Sequence, residues 1–134
     1  MNEDSESVGA AAQMIGVFLA GGTGALLRVL LSAQIEQACS ERLPFIGVLA
    51  VNLAGCLLIG FASACITADH WRNIVLGGAL GGFTTYSAFA LFTVSLADEQ
   101  RWGSLSAQLL LHILGGVLCV WLGVALAKAA GLSS

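Results

Sequence analysis

The sequence predicts an all-α integral membrane protein of four transmembrane helices, and three observations predict it. Of its 134 residues, 57% are hydrophobic and only 10% are charged, where a soluble domain carries about 25% charged residues. The charges also cluster. Glu3, Asp4 and Glu6 lie at the start, Glu36, Glu41 and Arg42 in one gap, Asp69 and Arg72 in the next, Asp98, Glu99 and Arg101 in a third, and Lys128 near the end. Between the clusters lie apolar stretches at about 9–35, 43–68, 73–97 and 102–127, each longer than the ~20 residues that cross the hydrocarbon core, so tilt is expected. Gaps of a few residues make helical hairpins, so neighbouring helices run antiparallel. Residues 1–134 form a single transmembrane domain, with residues 1–8 expected to be disordered. The leading residues are acidic, unlike the basic start of a signal peptide.

In the first span Arg28 follows Gly24 by four residues and Gly21 by seven, which puts all three on one face. An Arg within a span costs at least ~2.5 kcal/mol at the bilayer centre unless it snorkels or finds partners. Two readings stand: a snorkelling side chain near the helix end, or a cation that draws anions into a vestibule. In the second span Asn52 sits in VNLAGCLLIG. Its amide can donate to an anion, or it can bond another helix across a contact made close by Gly55.

The third span holds GGALGGFTTYSAF at 77–89. Each Gly costs roughly 1 kcal/mol against Ala inside a helix, and paired Gly invites a break. Broken backbone at membrane depth is tolerated only where protein buries it or a polar cavity lines it. The stretch is therefore a packing seam or an ion or substrate site. Phe83, Tyr86 and Phe89 are three residues apart and are expected on one stripe. Their ring edges are positive and can contact a small anion. An unwound Gly81–Thr84 turn would free carbonyls suited to a hard cation such as Na⁺. In the fourth span Ser104, Gln108 and His112 recur every four residues and run into Gly116. They form a polar line that is a pathway wall or an interhelix hydrogen-bond seam. A lone His there reads as a satisfied hydrogen-bonding group before a proton relay. Trp71 and Trp102 sit at span starts, where aromatic belts place them.

The Lys and Arg that orient a membrane chain are balanced: Arg42 and Arg101 on one face, Arg72 and Lys128 on the other. A chain without bias can insert both ways and pair head to tail as an antiparallel homodimer; otherwise a partner or the acidic N-terminus decides orientation. Four helices enclose little by themselves, and C2 dimers are the commonest symmetric solution. No Asp or Glu lies inside any of the four stretches, and proton-coupled exporters generally need one there. That weighs against a small dual-topology drug exporter; a structural subunit of a larger complex stays open. Cys39, Cys56, Cys65 and Cys119 lack CxxC spacing and read as lipid- or core-facing thiols. No paired nucleophile, phosphate loop or metal cluster supports an enzyme, and no basic patch supports nucleic acid binding.

Three stretches together resemble the Fluc/CrcB family of fluoride channels: GGTGALLR at 21–28, PFIGVLAVNLAG at 44–55 and GALGGFTTYSAF at 78–89. The last is close to a GxxGGxTTFSTF signature. The resemblance implies an antiparallel dual-topology homodimer in the inner (plasma) membrane, its third helix broken at mid-membrane. It implies two pores that pass fluoride selectively and passively and relieve its accumulation in the cytoplasm. Asn52, Tyr86 and Phe89 would line the pore and Arg28 the vestibule. A structural Na⁺ at the dimer interface would be held by backbone carbonyls of Gly81 and Thr84 from each subunit. Fluoride holds its water tightly, so a selective pore must replace that shell with donors and positive edges. Thr85, Ser87, Gln108 and His112 are the further polar pore residues expected to help. Four positions depart from the family pattern. Tyr86 stands where Phe is usual and Val48 where many members have Thr. Gln108 and His112 occupy a track expected to read Tyr or Asn and then Ser.

Overall fold

The computed structural model describes residues 3–39 and 45–132; side chains are described from residue 9 onward. Arg42, one of the four orienting cations, falls outside that set. Four helical spans are long and apolar enough to cross a membrane: Gly9–Cys39, Ile46–Cys65, Asp69–Asp98 and Trp102–Ala129. The first belongs to a helix that runs from Glu3 to Cys39. It takes in residues 3–8 of the leader expected to be disordered, and acidic residues at a helix start are favoured by the macrodipole. The same helix takes Glu36 into its last turns, beyond the expected limit at 35.

The second span lies between the first and the fourth, with its closest packing on Gly116–Ala129. That seam is tight: a Cβ at Gly123 would collide with the carbonyl oxygen of Leu57 and one at Gly60 with that of Val120. The first span packs on the opening half of the third. There a Cβ at Gly24 would run into Ala79 O, and one at Gly82 into Gly21 O. Small residues let these backbones approach, which is how helices associate where lipid removes the hydrophobic drive between them.

The third span is not one regular helix. A turn at Asp69–Arg72 passes into π-helical winding over Asn73–Leu80, then a short α-helical piece, Gly81–Phe83. Thr84 and Thr85 have extended backbone (ψ 158° and 116°), and a new helix runs from Tyr86 to Asp98. A second π-helical stretch, Leu111–Gly115, sits in the fourth span and contains His112. The main apolar core is Phe45, Leu49 and Leu96, flanked by Ile46, Leu53, Phe92 and Leu105. It ties the start of the second span to the end of the third and the start of the fourth.

The connections are short and internally bonded. Arg72 Nη1 donates to Ser63 O (3.2 Å) and Ile66 O (2.9 Å), capping the end of the second span. Between the third and fourth spans, Gln100 adopts φ +57°, the left-handed region. Arg101 N–H then closes on Leu96 O at 2.9 Å, the wrap that ends many helices.

Candidate functional site

The site forms where the second span meets the two extended threonines. Asn52 lies side-on to Thr85 and bonds its backbone twice: Thr85 N–H donates to Asn52 Oδ1 (2.8 Å), and Asn52 Nδ2 donates to Thr85 O (3.0 Å). Among the described residues, one amide N–H of Asn52 is left over. Gly55, on the next turn, has no room for a Cβ because Thr84 Cγ2 fills that place. The helix-bonding reading of Asn52 therefore holds, and it leaves a donor free for a second task.

The Thr85 hydroxyl accepts from Ala88 N–H (3.2 Å), which makes Thr85 the N-cap of the Tyr86–Asp98 helix. It also lies 3.1 Å from the Ser87 hydroxyl. These bonds have a consequence for two carbonyls. In a continuous helix Thr85 N–H would close on Gly81 O, and Ala88 N–H on Thr84 O. Both donors are bonded elsewhere, which leaves Gly81 O and Thr84 O outside the helical ladder.

A cleft of about 330 Å³ opens against this turn. Asn52, Thr84, Thr85, Tyr86, Phe89 and His112 line it, with Gly55, Cys56, Ile59 and Ile113 completing the wall. The Tyr86 and Phe89 rings stand 5.5 Å apart, tilted by 53°, and Phe89 packs on the His112 ring at 4.6 Å. Tyr86 is 79% exposed in the single chain.

The expected residues do not all meet there. Phe83 leaves the stripe, being 9% exposed and lining a separate cleft against the first span with Thr23, Gly24 and Leu27. The two extended residues shift the helical phase, so spacing by three no longer means one face. Ser87 touches the site only through Thr85. Gln108 is fully buried behind the cleft, where its Nε2 donates to Phe89 O (2.8 Å) and Thr93 Oγ1 (3.0 Å). Both of its amide hydrogens are thereby used, so it braces the Phe89 backbone and offers the cleft no donor. Arg28 lies apart, its Nε 3.4 Å from Gly82 O on the seam between the first and third spans.

Two contributors were missed in the sequence. Thr93, which donates to Phe89 O at 2.8 Å, follows Phe89 by four residues. Cys56 lines the cleft and follows Asn52 by four. Helical spacing carries both signals; for Cys56 the lack of CxxC spacing points only to a lipid- or core-facing thiol.

Fold and cleft define a multi-pass helical membrane protein with a polar-floored, aromatic-walled cleft opening partway along its spans. The chain belongs to the CrcB family: the family described as CrcB-like protein, Camphor Resistance (CrcB), matches residues 15–124. It is 41% identical over 117 residues to a Dichelobacter nodosus protein named fluoride-specific ion channel FluC, covering 84% of this chain and 94% of that one. Proteins of the same name from Solibacter usitatus (36% over 117 residues; 84% of this chain, 95% of the relative) and Neisseria meningitidis serogroup C / serotype 2a (35% over 116 residues; 87% and 95%) are also similar.

Proposed function

We propose that this chain is a fluoride-selective passive channel of the inner membrane, not an enzyme, and that it works as an antiparallel homodimer with two pores. The observation that carries the reading is the cleft itself. It joins an Asn52 N–H to the rings of Tyr86 and Phe89, and no carboxylate among the described residues lines it. Donors and positive ring edges suit a small anion stripped of water. Arg28 supplies a cation at the approach, as a vestibule residue and not a pore ligand.

The dimer is supported by what one protomer leaves open. The exposed Tyr86 ring and the open side of the cleft call for a second wall, which another copy would provide. The interruption of the third helix at Thr84–Thr85 would lie at mid-membrane. The donor set there fits the expected Na⁺: Gly81 O and Thr84 O, released from the ladder, are hard oxygen ligands. Bound there from both subunits, the ion would supply fixed positive charge near the pores.

The test is fluoride against chloride efflux from proteoliposomes. Fluoride efflux with negligible chloride efflux is expected. Absence of fluoride efflux, alongside a working relative in the same preparation, sinks the reading.

A further inference from the structure

Resting on the fluoride-channel reading, we propose that His112 determines permeation through its protonation state: neutral, it turns an acceptor toward the fluoride path and impedes it; protonated, it turns a donor there and admits it. The His112 Nδ1 atom lies 3.0 Å from the carbonyl oxygen of Gln108. A carbonyl only accepts, so Nδ1 carries the hydrogen. In a neutral imidazole the other nitrogen then bears a bare lone pair. That nitrogen, Nε2, is buried and has no hydrogen-bond partner among the described residues.

The ring belongs to the cleft wall, stacked on Phe89 and sharing the cavity with Asn52, Thr85 and Tyr86. Its neighbour one turn earlier supplies no compensating donor. Gln108 lies behind the cleft wall and has spent both amide hydrogens on Phe89 and Thr93. The fourth span thus brings to the wall an Nε2 without a hydrogen, where an anion needs donors. A proton on Nε2 reverses that locally, adding an N–H and a positive charge to the wall.

Few other ionisable groups face the ring. Cys56 from the second span and Tyr86 from the third line the same cleft, and Cys56 also lines the adjoining one with His112. Among the described residues no Asp, Glu, Lys or Arg lines either cleft. A pH response between about 5 and 8 is therefore assigned to the imidazole.

The experiment is fluoride efflux from proteoliposomes at symmetric pH, stepped from about 8 down to about 5, the range over which an imidazole titrates. Leak from protein-free vesicles is subtracted. Efflux by the parent is expected to rise at least about five-fold on acidification, as a His changes charge across that range. His112→Ser is expected to stay constant within about two-fold over the same range, having no group that titrates there. His70→Gln, which removes the second imidazole, should keep the parental profile. A flat parental profile, or the same rise in His112→Ser, overturns the proposal. No fluoride efflux at any pH sinks the channel reading instead. Imidazole ¹⁵N spectra of His70→Gln in detergent give a readout independent of transport, and of whether His112→Ser folds. A neutral ring protonated at Nδ1 is expected; one protonated at Nε2 overturns the proposal.

Discussion

Asn52 shows how one side chain serves both fold and site. Its Oδ1 takes the Thr85 N–H that lost its helical partner when the chain extended, and its Nδ2 adds a bond to Thr85 O, so the turn is held by the residue that also offers a donor to the cleft. Replacing it with Leu removes both bonds and strands the Thr85 N–H. Leaving such a group unpaired costs about 1–3 kcal/mol, so Asn52→Leu should lower the thermal stability of the purified protein as well as its fluoride efflux. A variant as stable as the parent would show that water or a second copy can replace the amide. Phe89 separates the two roles. Its ring forms cleft wall while its backbone carbonyl takes the bonds from Thr93 and Gln108. Phe89→Ile keeps those bonds and loses the positive edge. We expect weaker fluoride efflux with an unchanged elution volume on gel filtration; unchanged efflux would remove the ring from the permeation path.

At the scale of elements, the four spans were legible because the charges fall at their ends, and membrane length follows from composition alone. The phase of the third span was not legible. The paired glycines announced a break near Gly81–Thr84, but nothing local marks Thr84 and Thr85 as the two extended residues. Their conformation is set by Asn52, more than thirty residues earlier in the chain, so a stripe drawn through Phe83, Tyr86 and Phe89 ran across a discontinuity. The π-helical winding around His112 was equally invisible, since it preserves the residue types of an apolar helix. Loops carried the opposite kind of signal. Gln100 at φ +57° takes the place where helices most often use glycine. An L-residue in the left-handed region costs roughly 1–2 kcal/mol, partly offset by the greater entropy a glycine loses on folding. Gln100→Gly should therefore stabilise the hairpin by about 1 kcal/mol or slightly less, read as a higher melting temperature in detergent. A lower melting temperature would mean that the Gln100 side chain holds the loop.

The whole molecule is more exposed than a self-sufficient bundle. Met14, Phe18, Tyr86, Leu91, Val117 and Trp121 are all about two-thirds or more open in the single chain, spread over three spans. Lipid can cover most of such surface, but lipid cannot complete the cleft if, as proposed, it holds a dehydrated ion. If two antiparallel copies complete it, the chain must insert in both orientations, and the balance of cations permits this. The sequence assigns Arg72 and Lys128 to one face and Arg101 with Arg42 to the other. Within that balance Arg72 already caps the second span, so added charges should be placed elsewhere. Ala130→Lys with Leu132→Lys biases one face, and Asp98→Lys with Gln100→Lys biases the other; all four positions are exposed. Loop Lys and Arg set orientation, so each double variant made alone should insert one way and show little fluoride efflux. Made together in one cell, they should pair and recover most of it. Full efflux from either double variant alone would mean that parallel copies, or a single one, build the pore, and the antiparallel dimer would have to be abandoned.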